Sequence, residues 1–266
     1  MSLLKIDKIS KQLRKISLEI NSISGTSHIG GVLSMSDLIT VLFFKKMNFS
    51  KKNFNSENRD RFILSKGHAC LGIYVILYLK GIITYRQLKS YGKNNSILMA
   101  HISHKVPAVE FSTGSLGHGL PVAAGKSYYG KIQKKKWATY CIISDGELNE
   151  GSNWEALLFA SHHKLNNLTV IIDYNKIQSF GRTNQIINLD PLFDKLKSLN
   201  LLVIEINGHN STEIDKALNI KTNLTTKVII ANTVKGYGVK FLENKIESHY
   251  KSLSKNQLNR ALKILK

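Results

Sequence analysis

Apolar residues recur at three- and four-residue steps through Ile6, Ile9, Leu13, Ile16 and Ile20. One face of a helix repeats at that interval, so this stretch predicts an amphipathic helix. A segment rich in Gly, Ser, Thr and His (residues 24–31) follows and predicts a loop. Ser36-Asp37 predicts a helix start ahead of the apolar residues 38–44. In the middle of the chain the pattern changes. Tyr140-Cys-Ile-Ile143 and Leu168-Thr-Val-Ile-Ile172 are apolar without alternation, as strands covered on both faces are. The first runs into Ser144-Asp145-Gly146 and the second into Asp173-Tyr174-Asn175, with a helical stretch through Trp154, Leu157, Leu158 and Ala160 between them. Residues 202–206 and 228–231 predict two further strands, with a helix near 214–218. Strands alternating with helices predict an α/β fold, a parallel β-sheet flanked by helices and joined by right-handed crossovers.

Composition narrows this picture. A chain of 266 residues with 42% hydrophobic content can build one well-buried core, so a single domain is expected. There is no apolar run of about 18 residues, which argues against a spanning helix and a membrane location. The start, Met1-Ser-Leu-Leu-Lys-Ile-Asp7, lacks the apolar stretch of a secretory signal. Cys70 and Cys141 lie in apolar runs and predict buried free thiols in a reducing, cytoplasmic setting. The net charge of +20 raises nucleic acid as a partner. Only six of the 38 basic residues are arginine, the residue on which base readout and bidentate phosphate contacts lean. The dense run Lys134-Lys135-Lys136 therefore reads as solvated surface, and phosphorylated sugars or cofactors suit the charge as well.

Asp145 and Asn175 stand just past two predicted strand ends, about 30 positions apart, the length of one βαβ unit. Open parallel sheets bind ligands beyond the carboxyl ends of their strands, so both side chains should reach one crevice. An aspartate and an asparagine suit magnesium, a hard cation that takes a few protein oxygens and fills its shell with water and phosphate. The helix expected near residues 149–152 would turn its N-terminus toward that phosphate. The competing reading makes both residues ordinary turn formers.

The surrounding blocks carry a resemblance. Ser144-Asp-Gly-Glu-Leu-Asn-Glu-Gly151 with Asp173-Tyr-Asn-Lys-Ile-Gln178 resembles the thiamine diphosphate fingerprint of transketolases, with Ser144 in place of the usual glycine. Ser27-His28-Ile-Gly-Gly31 resembles the family's Gly-His-Pro-Gly-Gly loop without its proline. Arg59-Asp-Arg-Phe-Ile-Leu-Ser-Lys-Gly-His68, Ser112-Thr-Gly-Ser-Leu-Gly-His-Gly119 and Val234-Lys-Gly-Tyr-Gly-Val239 with Glu243 and His249 resemble three more family blocks, in the family's order.

The resemblance implies the thiamin diphosphate-binding fold, a diphosphate-binding domain over 1–266 with 240–266 as a C-terminal extension. It implies thiamine diphosphate and Mg2+ as cofactors, the metal held by Asp145, Asn175 and the Ile177 carbonyl. Gly146 and Glu147 would line the diphosphate, Gly114 and Leu116 the aminopyrimidine, and His68 the cofactor. His28, His68, His101 and His249 would serve catalysis on a sugar or sugar phosphate, and Glu150 would network across a subunit interface. His104 competes with His101 for one position, and His118 replaces a family glutamine. His162 and His163 point about 100° apart on a helix and read as structural.

Family enzymes also carry a pyrimidine-binding domain whose glutamate activates the cofactor. This chain resembles the N-terminal subunit of a split transketolase, partnered by that domain on a second chain in an α2β2 heterotetramer. The activity implied is transfer of a two-carbon ketol unit from a ketose, free or phosphorylated, to an aldose. Two other readings are a related enzyme for a specialised sugar or keto acid, and a non-catalytic basic domain that binds nucleic acid. A Rossmann oxidoreductase is disfavoured, because no Gly-x-Gly-x-x-Gly lies between a strand and a helix.

Overall fold

The computed structural model describes residues 1–265. Five strands form one parallel sheet: β1 (Arg61–Leu64), β2 (Thr139–Ser144), β3 (Leu168–Tyr174), β4 (Leu202–Asn207) and β5 (Lys227–Asn232), in the order β1-β2-β3-β5-β4. The apolar runs become strands because both faces of the sheet are covered. Tyr140, Ile142, Ile171 and Ile229 point into one core, while Cys141, Ile143, Val170, Ile172, Val228 and Ile230 point into the other. Burying each such side chain contributes about 1.5–3 kcal/mol against leaving it in water.

The helices are α1 (Leu3–Ser24), α2 (Ile29–Val41), α3 (Cys70–Leu79), α4 (Tyr85–Leu88), α5 (Gly119–Ile132) and α6 (Gly151–His162). They continue with α7 (Thr183–Ile186), α8 (Leu192–Lys197), α9 (Ser211–Asn219), α10 (Glu247–Tyr250) and α11 (Lys255–Ile264). Residues of α1, α2 and α3 build the first core, and those of α5, α6 and α8 build the second. Cys70 and Cys141 are free and buried. Among the described residues, no helix is long and apolar enough to cross a membrane.

Two local expectations are corrected. Ser36 and Asp37 do not start a helix. They lie inside α2, where the Ser36 hydroxyl donates to the Val32 carbonyl and Asp37 pairs with Arg14 of α1. The helix begins seven residues earlier than that pair suggests, at Ile29, so Gly30 and Gly31 are helical rather than loop. Gly30 is required by a close approach. A β-carbon there would lie 2.2 Å from Ser248 Oγ and 2.9 Å from Ser248 Cβ, on α10. The strand β1 was not foreseen, since its four residues sit inside a block rich in charge.

Candidate active site

Four strand ends converge on one cavity of about 250 Å3. The turn after β1 supplies Lys66 and His68. The turn after β2 supplies Asp145 and Gly146, and that after β3 supplies Asn175, Ile177 and Gln178. Lys235 comes from the segment after β5, His28 and Gly31 from the start of α2, and His249 from α10. His101, Gly114 and Leu116 close the wall from the long connection between α4 and α5.

The deepest charges are ordered by pairing. Lys66 and Asp173, 1% and 0% exposed as side chains, form an ion pair. Ser34 Oγ donates to the same carboxylate at 2.6 Å, and Thr233 donates to its other oxygen. Burial by itself would raise the Asp173 carboxyl, but the Lys66 ammonium and these donors hold it below its ordinary value. Asp145 is treated differently. Its oxygens accept backbone N–H groups from Gly146 (2.7 Å) and Lys176, and among the described residues no basic side chain forms a salt bridge with it. Burial, together with the neighbouring Asp173 charge, lifts its carboxyl to about 6. Lys235, 3% exposed, donates to the Ile177 carbonyl at 2.9 Å and lies 3.1 Å from His249 Nδ1. Burial and the Lys66 charge bring its ammonium down to about 8.

Four imidazoles crowd the other end. His28 lies 5.1 Å from His68, 5.7 Å from His101 and 4.8 Å from His249 between ring centroids. Burial, then His101 and Lys235, lower His28 to about 4, and burial, then Lys235 and His28, lower His249 to about 3. Burial lowers His68 well below its ordinary value and His101 in the same direction. All four are therefore neutral near pH 7, each with one donor and one acceptor nitrogen. His28 holds a left-handed backbone, φ 73°, and its N–H donates to the His249 carbonyl at 2.8 Å. Left-handed backbone is uncommon for a residue other than glycine.

Residues 6–265 match the family described as transketolase, thiamine diphosphate binding domain. The chain belongs to the transketolase family. It is 39% identical to an apulose-4-phosphate transketolase subunit from Actinobacillus succinogenes, over 98% of this chain and 96% of the relative. A 6-deoxy-6-sulfo-D-fructose transketolase subunit from a Clostridium species is 35% identical, over 94% of this chain and 92% of its own length. The crystal structure of Campylobacter jejuni transketolase superposes with a TM-score of 0.95 at 29% identity, covering 100% of this chain. The chain spans 43% of that longer protein and 40% of human transketolase, to which it is 34% identical.

The transketolase cavity gathers most of the expected residues: His28, His68, His101, His249, Gly114, Leu116, Asp145, Gly146, Asn175 and Ile177. Glu147 and Glu150 are not on its wall. Glu147 is fully buried behind it, accepting from the Ser65 hydroxyl, from the Gly117 N–H at 3.0 Å and from the Ser144 N–H at 3.3 Å. Glu150 is exposed where α6 begins. His104 is exposed and bonds Ser112 at 2.7 Å, and His101 rather than His104 lines the cavity. His118 is exposed at the start of α5. The His163 ring packs on Phe159 and Tyr128, at 4.3 and 4.5 Å.

Sequence reasoning overlooked Lys66, Asp173, Lys235 and Gln178. The signal was available: each lies in a block that resembles the family, and a charged residue adjoining a strand buried on both faces calls for a partner. The oxygens of Asp145, Asn175 and Ile177 fit a hard cation. Asn175 Oδ1 accepts the Ile177 N–H at 3.2 Å and retains a lone pair, and the Asp145 carboxylate is buried and forms no salt bridge among the described residues. Among the described residues, no group of three or more His, Cys, Asp or Glu is arranged to hold a metal. A metal at this place would complete its shell with phosphate and water, as magnesium does. Gln178 Nε2 is buried and makes no hydrogen bond among the described residues, and its side chain packs close to Gly146, so its amide N–H donors suit a ligand acceptor.

Proposed function

We propose that this chain is the diphosphate-binding subunit of a two-subunit transketolase. In this reading Asp145 and Asn175 hold magnesium through side-chain oxygens and Ile177 through its carbonyl. Lys66 and Lys235 supply positive charge toward the diphosphate, while Gly114 and Leu116 flank the aminopyrimidine. Bound thiamine diphosphate supplies the electron sink for breaking the bond beside a ketose carbonyl. The four neutral imidazoles accept and donate protons at sugar hydroxyls, with His101 and His249 nearest the substrate end. A pyrimidine-domain chain completes the site, with Glu150 at the junction, in an α2β2 assembly. The whole of 1–266 acts as one domain, and 240–266 is the extension that carries His249.

The reaction is ketol transfer from a ketose to an aldose. Two relatives of nearly the same length are named for a sugar phosphate and a sulfosugar. A specialised sugar bearing an acidic group is therefore the substrate class we favour, and the excess of basic residues suits it. The observation that carries the proposal is the buried Asp145 carboxylate, which accepts backbone N–H groups and forms no salt bridge among the described residues, in a cavity that also holds the buried Lys66 and Lys235 ammonium groups. Thermal unfolding tests it. Thiamine diphosphate plus magnesium should raise Tm, either alone should do much less, and Asp145→Ala should abolish the combined effect. An undiminished shift in Asp145→Ala would refute the assignment.

A further inference from the structure

His209 lies in the turn after β4, off the cavity wall, with its side chain 8% exposed. Its Nδ1 is 2.9 Å from Asp37 Oδ2, and its Nε2 accepts the Val234 N–H at 2.9 Å. The ring stacks on Tyr237 with centroids 3.4 Å apart and planes 10° from parallel. Asp37 is clamped on α2 by Arg14, whose two terminal nitrogens donate to its two oxygens at 2.8 and 2.5 Å. Burial pulls the Asp37 carboxyl upward, but Arg14, His209 and Ser10 together hold it well below the usual carboxylate range.

An ionised carboxylate only accepts, so the His209 proton must sit on Nδ1. Nε2 is left as the acceptor that Val234 needs. The next residue is Lys235. Its ammonium reaches back to the Ile177 carbonyl, and its own carbonyl accepts the Asn244 N–H at 2.9 Å. Besides that bond, several contacts seat this segment: Thr233 N–H on the Tyr174 carbonyl at 3.2 Å, the Thr233 hydroxyl on Asp173, Gly236 N–H on the Gly30 carbonyl at 3.0 Å, and Val234 N–H on His209. Only the last depends on which nitrogen of a ring is protonated.

We infer that His209 is a positioning residue for Lys235: the Arg14–Asp37 pair fixes its tautomer, and the tautomer sets the backbone that delivers the Lys235 ammonium to the cavity. The inference rests on the cofactor reading above. Loss of one such backbone anchor should weaken binding by about tenfold, the equivalent of a single hydrogen bond at the upper end of its usual range.

A double-mutant cycle on the full chain tests it, with magnesium and thiamine diphosphate as the probe and calorimetric Kd and ligand-free Tm as readouts. His209→Phe keeps the stacked ring and removes both hydrogen bonds. It should bind about tenfold more weakly in the native background and no more weakly than Lys235→Met when the two are combined. His209→Gln retains an acceptor in reach of Val234 and should recover most of the affinity. A His209→Phe loss of the same factor with or without Lys235 would overturn the inference, as would native affinity in His209→Phe. A fall in ligand-free Tm with Kd unchanged would also overturn it, leaving His209 purely structural. If the native chain itself fails to bind, the cofactor reading has failed and takes this inference with it. Binding by the native chain with additive variants refutes the positioning role alone.

Discussion

At the scale of the residue, the cavity is defined by which groups are charged. Lys66 and Asp173 form an ion pair, whereas Asp145 and Lys235 are buried and form no salt bridge among the described residues, and the four histidines are all shifted toward their neutral forms. The histidines have a consequence for stability. Their folded values lie below the ordinary 6.5, so the unfolded chain binds more protons once the pH drops below that point. Their contribution is complete above pH 6.5 and is lost as the pH falls toward about 4 for His28 and about 3 for His249. Melting temperatures across this window should decline, and His28→Gln should flatten the decline. An identical slope in the variant would argue that other groups dominate. Asp37 acts lower: its depressed carboxyl gives stability that disappears only as the pH falls below its ordinary 3.8. Sequence reading found the histidines through the family resemblance, His28 and His68 in glycine-containing blocks and His101 in Ala100-His101-Ile102, which contains no glycine. It passed over Lys66 and Lys235, because a lysine in a sequence is solvated by default and only the fold shows these two buried.

At the scale of the element, β2 to β5 were legible because strands buried on both faces read as continuous apolar runs. The site followed from the strand ends. The start of α2 was not legible. Ser36 and Asp37 are common helix-start residues; mid-helix, Asp37 is held by tertiary contacts with Arg14 and His209, and the Ser36 hydroxyl donates to the Val32 carbonyl of its own helix. The two glycines at the true start disguised it, and one of them sets up an informative test. Helix propensity alone predicts that Gly30→Ala gains about 1 kcal/mol. The Ser248 contact predicts the opposite, a loss of about 1–3 kcal/mol from overpacking. Because the clash involves Ser248 Cβ as well as its hydroxyl, a rotamer change does not relieve it, and packing should win. Urea unfolding decides the sign, and a stabilised variant would show that α10 yields easily.

At the scale of the whole molecule, the family blocks in their order carried more than any local pattern. No spacing or periodicity could have revealed the sugar, because specificity depends on side chains meeting in space and on a second chain. Glu150 illustrates this, being exposed at the start of α6 and away from the cavity that it is proposed to serve. The purified chain alone should show no ketol transfer, and adding a pyrimidine-domain partner should restore it with saturation in that partner. Turnover by this chain by itself would disprove the two-subunit proposal.

The backbone bond between His28 and His249 joins the opening helices to the closing segment across nearly the entire chain. Closing so long a loop is entropically costly, so the segment around α10 and α11 should be among the first parts of the fold to open locally. Each opening would carry His249 away and dismantle a wall of the cavity. A ligand that needs that wall must then hold the segment shut, in proportion to its own binding free energy. Amide hydrogens of residues 247–265 should therefore exchange more slowly once the cavity is filled, although most of them lie far from any bound molecule. Unchanged exchange on saturation would show that the cavity does not depend on this closure.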